Sequence, residues 1–190
     1  VSEVVGILLA AGRGQRFGSH KLLATLPSGD PIGVASARSL VRAVPASVAV
    51  IRPGDRELGR RLSALGLRVI ENPGADEGMG ASLAAGVTAT ADATGWLIAL
   101  ADMPWIRPRT IRTLADGLAA GASLIAPVHR GRRGHPVGFA RKWRGPLQSL
   151  AGDEGARHLL ADHAAELTLR PTTDFGTLRD VDLPPDLYRA

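Results

Sequence analysis

Short runs of consecutive apolar residues alternate along this chain with longer stretches in which alanine and leucine recur at helical spacing. The apolar runs at 4–9, 47–51, 67–71, 96–101, 123–127 and 136–140 predict β-strands, and a weaker run at 167–170 predicts one more. Between them the spacing predicts helices over about 33–43, 56–65, 79–89, 108–119 and 154–162. Such alternation argues for a three-layer α/β/α sandwich on a Rossmann-like, mostly parallel sheet. The run Trp96-Leu-Ile-Ala-Leu-Ala101 is apolar without interruption, as expected of a central strand covered on both faces. Pro108 suits the first turn of a helix, where its missing N–H costs nothing, and Gly66 and Gly121 follow helical runs as natural stops. No repeat, low-complexity tract or long linker interrupts the pattern, so residues 1–190 read as one domain.

Composition narrows the chemistry. A chain of 190 residues with 45% apolar content needs no staple to bury a core. It has no cysteine, which excludes disulfide scaffolds, thiolate zinc sites, cysteine-ligated iron–sulfur clusters and thiol nucleophiles. A cytoplasmic setting is the expectation. No apolar run approaches the roughly 18 residues of a membrane span, and the start does not read as a signal peptide. The net charge is +5, but the arginines are scattered, with small clusters at Arg130, Arg132, Arg133 and at Arg141, Lys142, Arg144. Aromatic content is 4%, thin for stacking single-stranded bases, so neither nucleic acid nor membrane is expected as a partner.

Three segments carry candidate chemistry. The first is the glycine-rich stretch from Leu8 to Lys21, where Gly12, Gly14 and Gly18 leave successive N–H groups free to approach a phosphate. Its spacing is one residue longer than the dinucleotide fingerprint, and no Gly-Lys-Ser/Thr follows as a P-loop requires. Arg16 and Lys21 bring two cations onto this loop. Of the 23 basic residues 21 are arginine, so a lysine here runs against the chain's own composition; it is a compact point charge suited to a triphosphate. The second segment is Leu100-Ala-Asp102-Met-Pro104, with its acid just past a buried strand, where ligands bind in open α/β sheets. The third is Asp180-Val-Asp182-Leu-Pro-Pro-Asp186. Separated aspartates without histidine or cysteine are hard oxygen donors of the kind that hold magnesium beside substrate phosphates.

Weaker signals lie elsewhere. Asn72-Pro-Gly-Ala-Asp-Glu-Gly-Met-Gly80-Ala-Ser82 joins a strand to a helix and offers polar groups to a base or sugar. Arg132-Arg133-Gly-His135-Pro could receive an anionic acceptor or form a charged surface hairpin, and the stretch from Gly152 to Arg157 reads first as a helix N-terminus. There is no G-x-S-x-G elbow, and His158 and His163 are five apart where a zinc helix needs four.

Taken in order, L-A-A-G-x-G-x-R-F-G-x-x-K, N-x(5)-G-x-G-x-S, L-A-D-M-P, G-H-P-V-G-F, G-D-E-G-A-R and D-V-D-L-P-P-D-L resemble the molybdenum cofactor nucleotidyltransferases, within the glycosyltransferase-A-like NTP transferases. The resemblance spans 8–187, and the L-A-A-G opening is similar to the cytidylyltransferase branch, whereas guanylyltransferases read L-A-G-G. It implies a fold of the nucleotide-diphospho-sugar transferase type. The implied reaction is transfer of CMP from CTP to molybdopterin-bound cofactor with release of pyrophosphate and with Mg2+ as cofactor. A molybdenum hydroxylase or its chaperone is the implied receiving partner. The loop amides of Gly12, Arg13 and Gly14 would hold the triphosphate, and Ala10, Ala11, Asn72, Gly80 and Ser82 the base and ribose. Arg16 and Lys21 would neutralise the departing pyrophosphate. Asp102 and Asp182 would carry the metal, Asp182 being the better match to the family's second acid than Asp180. Arg133, His135, Asp153 and Arg157 are the acceptor-side candidates. Two other readings of the same residues stand beside this one: a related transferase acting on a sugar or alcohol phosphate, and a family member repurposed as a nucleotide-binding oxidoreductase.

Overall fold

The apolar runs pair into one eight-stranded sheet. The computed structural model describes residues 3–12, 14, 17, 20–153 and 155–188. Its strands are β1 (Val4–Leu9), β2 (Ser47–Ile51), β3 (Arg68–Glu71), β4 (Gly95–Leu100), β5 (Leu124–His129), β6 (Arg132–Arg133), β7 (Val137–Ala140) and β8 (Leu167–Pro171). They lie in the order β3-β2-β1-β4-β7-β5-β6, with β8 against β5. The β1–β2, β1–β4, β2–β3 and β5–β8 pairs are parallel, and β7 runs antiparallel between β4 and β5. The expected mostly parallel architecture is therefore present.

Both faces are covered, because successive strand residues point to opposite sides. Leu8 of the first strand with Ala10 just beyond it, and Leu97 and Ala99 of the fourth, pack with α1 (Ile32–Ala43), α2 (Arg56–Ala64) and, through Ile111 and Leu114, α4 (Pro108–Ala119). Ile7, Leu9, Trp96 and Ile98 face the other way, onto α3 (Met79–Ala89), α5 (Arg144–Gln148) and α6 (Arg157–Asp162). Each fully buried leucine, isoleucine or valine in these layers contributes about 1.5–3 kcal/mol of transfer free energy. Pro108 occupies the first turn of α4 as its chemistry predicts.

The observed elements differ from the sequence expectation mainly at ends and in short pieces. The last predicted helix begins at Arg157, not at 154, because Gly152 and Gly155 take left-handed backbone angles that a helix cannot continue. β6 and α5 carry too few residues to generate a periodic signal. The Arg132-Arg133 pair forms the second arm of an exposed hairpin with β5.

Chain order fixes where a ligand can sit. From β1 the chain moves outward through β2 and β3, then returns to place β4 on the other side of β1. The loops leaving β1 and β4 diverge there and open a crevice at the carboxyl ends of the strands.

The carboxyl-terminal segment is fastened to the same edge. Asp174 is 1% exposed; its Oδ2 accepts from the Arg107 amide (2.8 Å) and the Thr110 hydroxyl (2.7 Å), and its Oδ1 from the Gly176 amide (3.1 Å). One buried carboxylate thus ties the segment after β8 to the start of α4. Replacing it would leave three donors unsatisfied. Asp174→Ala is expected to lower stability by about 3 kcal/mol, measured by urea unfolding; a loss below about 0.5 kcal/mol would show that the segment is held by other contacts.

Candidate active site

β1 ends where the phosphate-loop candidate begins. Ala10 still donates its amide to the Val50 carbonyl (2.9 Å), and beyond it the backbone leaves the sheet through Ala11 and Gly12. Gly14 sits at φ +57°, and a Cβ there would lie 2.9 Å from the Lys21 Cβ, so a glycine lets the loop fold back onto the lysine stem. Arg13, Arg16 and Gly18 lie outside the described residues. The far end of the loop is tied down by His20 against Asp55 at the start of α2 (2.9 Å) and by Leu22, whose buried side chain anchors the short turn carrying Lys21.

Lys21 lies between two distant acids. Its Nζ stands 2.8 Å from Asp102 Oδ2 and 3.7 Å from Asp182 Oδ1. The lysine side chain is 12% exposed, Asp102 24% and Asp182 52%, so the ammonium is largely withdrawn from water while the acids keep access to the cleft. One backbone hydrogen bond joins the two acidic segments, and a serine hydroxyl holds the first of them to α1. The Val181 amide donates to the Asp102 carbonyl (2.9 Å), with the Val181 side chain fully buried, and Ser36 on α1 donates to the Ala101 carbonyl (2.8 Å). Asp186 closes the turn by accepting from the amides of Asp182 (3.0 Å) and Leu183 (2.8 Å), so its carboxylate has a structural task.

Two further titratable groups feel this cluster. Partial desolvation, followed by the charges of Asp182 and Asp102, holds the Asp180 carboxyl above the ordinary carboxylate range; its own backbone and Lys21 pull the other way. Burial, and after it the Arg133 charge, push the His135 imidazole below its usual range, against the pull of Asp102. His135 Nδ1 is buried and has no hydrogen-bond partner among the described residues.

The cluster opens into a cleft of ≈ 710 Å³. Its floor and one end are formed by Ala10, Ala11, Gly12, Gly14, Lys21, Asp102 and Asp182; the other wall is formed by Arg52, Ala75, Asp76, Gly78, Met79, Ser82 and Asp153. Asn72 and Gly80 stand behind that wall. Asn72 donates to the Ser82 hydroxyl (3.2 Å) and accepts from the Gly74 amide (3.0 Å), while Gly80 donates to the Gly152 carbonyl (2.8 Å). Gly78 has φ +109°, and a Cβ there would fall 2.6 Å from Asp153 Oδ1. That bare turn lets Asp153 reach the nucleotide-sized cleft, apart from its expected acceptor-side companions. Arg133 is exposed on β6 and Arg157 opens α6; neither lines the cleft. Sequence reasoning passed over Arg52 and, within the 72–82 motif, named neither Asp76 nor Met79 as a candidate. Arg52 had a readable signal, since it directly follows an apolar strand as Asp102 does.

With this geometry in view, a model of the MobA-like NTP transferase domain matches residues 6–167. The chain belongs to this family. The nicotine blue oxidoreductase of Paenarthrobacter nicotinovorans is 31% identical over 98% of this chain and 95% of its own length. The crystal structure of Rv0371c from Mycobacterium tuberculosis H37Rv superposes with a TM-score of 0.83 at 26% identity, covering 97% of this chain and 95% of that one. A structure of Rv0371C in complex with manganese gives a TM-score of 0.75 at 22% identity over 90% and 89% of the two chains. The MobA-like chain is a nucleotidyltransferase with the nucleotide-diphospho-sugar transferase fold. No helix among the described residues is long and apolar enough to cross a membrane.

The residues present fit a divalent cation of the kind this family implies. Two carboxylates from different segments already converge on one positive charge, the Lys21 ammonium. Among the described residues no three histidine, aspartate or glutamate side chains form a cage. Two hard oxygen donors facing an open cleft are what magnesium uses when water and phosphate supply the rest of its shell.

The acid cluster makes a pH prediction. An acid whose folded pKa lies above its unfolded value disfavours folding while ionised, and that cost disappears as pH falls below the unfolded value of about 3.9. Asp180→Asn is therefore expected to stabilise the metal-free protein at pH 7 by about 0.5 kcal/mol, allowing for solvent screening. The gain should shrink toward zero as the solution is acidified. Thermal melts of both proteins from pH 7 to pH 4 check this; a stabilisation that grows on acidification would refute it.

Proposed function

We propose that this nucleotidyltransferase moves CMP from CTP to the terminal phosphate of a molybdopterin-type cofactor, releasing pyrophosphate. The observation that carries the reading is the meeting of Asp102 and Asp182 at Lys21, at one end of a cleft floored by bare backbone. The L-A-A-G opening of the loop supports CTP as donor, and the G-H-P-V and G-D-E-G-A-R elements support the molybdopterin branch.

In this reading the nucleotide lies along the cleft with its base and ribose toward Ala10, Ala11 and Ser82 and its triphosphate over Gly12 and Gly14. An oxygen of the acceptor phosphate attacks the α-phosphorus; the bond from that phosphorus to the bridging oxygen of the β-phosphate breaks, and both electrons leave with pyrophosphate. A phosphate monoester has its second pKa near 6 and is mostly ionised at neutral pH, so the attack requires no general base. The protein's task is to bring anions together in line. Lys21, with Arg16, supplies positive charge to the triphosphate and the departing pyrophosphate. Asp102 and Asp182 would hold Mg2+, which supplies Lewis-acid polarisation of the phosphoryl oxygens; that Rv0371C, of the same fold, was solved in complex with manganese supports a divalent ion as cofactor. His135 feels the charges of both Asp102 and Arg133, and His135 and Arg133 are proposed to meet the acceptor.

The deciding experiment is pyrophosphate release from CTP with Mg2+ and isolated molybdopterin cofactor, with GTP in parallel. Turnover with CTP supports the reading; turnover only with a sugar or alcohol phosphate acceptor moves the chain to another substrate. Because a relative carries the name of an oxidoreductase, NADPH is tested alongside, and NADPH oxidation without pyrophosphate release overturns the transferase chemistry. Asp102→Asn is expected to cut kcat by about a thousandfold with an unchanged melting temperature, and near-normal turnover would remove Asp102 from the metal site. Lys21→Ala should weaken CTP more than CMP; equal weakening would contradict the phosphate assignment.

A further inference from the structure

Sheet register sets an arginine beside the nucleotide loop. β1 and β2 pair Leu9 with Val50, which carries Arg52 to a position alongside Ala11. The Arg52 guanidinium donates from Nη1 to the Ala11 carbonyl (3.0 Å), and its Nη2 meets the Asp76 carboxylate on the same wall. A fork-shaped cation thus joins the floor loop to the 75–77 turn. Its side chain is 25% exposed, so water competes little for the Ala11 contact.

The Ala11 carbonyl belongs to the peptide unit it shares with Gly12. In a planar trans peptide the C=O and N–H bonds point in opposite directions. With the carbonyl held toward β2, the Gly12 N–H faces away from β2, which is the β4 side, where Lys21 and Asp102 lie. We propose that Arg52 is a positioning residue for the triphosphate: it locks the 11–12 peptide plane so that the Gly12 amide donates to phosphate, and Asp76 holds the guanidinium in the orientation this requires. This rests on the reading that the triphosphate lies over the loop. A lysine in the same place could reach one of the two partners, but it lacks the planar fork that engages both.

The test is calorimetric binding of CTP and CMP, with Mg2+ and without acceptor, to the wild-type protein, Arg52→Ala and Arg52→Lys, accompanied by melting temperatures and by the KM and kcat of pyrophosphate release. Arg52→Ala is expected to weaken CTP about tenfold and CMP less than about threefold, to raise KM more than it lowers kcat, and to leave the melting temperature within a few degrees. Arg52→Lys is expected to fall between the two. Equal weakening of CTP and CMP, or an Arg52→Lys protein indistinguishable from wild type, would overturn the positioning role, since the first indicates a general structural part and the second a need for charge alone. Wild-type protein that binds CTP alongside an equally competent Arg52→Ala sinks this inference and leaves the proposed function standing. Wild-type protein that binds no nucleotide sinks both.

Discussion

One backbone hydrogen bond determines whether this site exists. The amide of Val181 donates to the carbonyl of Asp102, and the Val181 side chain is sealed in the core. Through that link a segment near the carboxyl terminus is stitched to the end of the fourth strand, and the acids on either side of the valine are delivered to the loop after the first strand. Without it Asp182 would belong to a surface tail and Lys21 would face a single partner. The apolar plug gives the contact its strength: a buried valine contributes about 1.5–3 kcal/mol, whereas an exposed hydrogen bond alone contributes little. The buried Asp174 upstream and the Asp186 turn downstream act in series with it, so each end of the short acidic segment is fixed before its carboxylates are placed.

The fold was largely legible from hydrophobic patterning because the parallel strands are buried on both faces and read as unbroken apolar runs. β1 and β2 have the predicted limits, and β4 is displaced by one residue. What escaped was short or governed by backbone angles. The late start of the last helix depends on left-handed glycines whose conformation a sequence does not reveal.

The site was legible in a different way. Lys21 stood out against an arginine-rich composition, and Asp102 stood out as a charge at the end of an apolar strand. Their meeting with Asp182, some eighty residues further on, could be expected only from the family resemblance, because no local pattern reports a contact between the loop after β1 and a segment beyond the last strand. Asn72 and Gly80 show the reverse limit: polar or bare residues in a promising motif turned out to brace the cleft wall from behind. Asp153 is the subtler case. The family resemblance grouped it with Arg133, His135 and Arg157 on the acceptor side, yet the bare turn at Gly78 admits it alone of the four to the cleft.

The electrostatics of the cluster follow from the same placement. Asp102 and Asp182 share the Lys21 ammonium, and the Asp180 carboxyl beside them is raised first by its burial and then by the charges of Asp182 and Asp102. A fold selected for stability alone would relieve this crowding of acids with a second buried cation or an apolar residue, since replacing buried charge by packed side chains is often neutral or better. An excess of negative charge at the mouth of a cleft makes sense where a further positive charge is to be received, and Lys21 balances part of that charge meanwhile. In the proposed function the charge received is that of a divalent cation, for which Asp102 and Asp182 supply two hard oxygen donors. On the same proposal the nucleotide brings its own negative charge to this balance, and the Gly12 amide, next to the Ala11 carbonyl held by Arg52, would meet it without adding another cation that would compete with the metal for the acids.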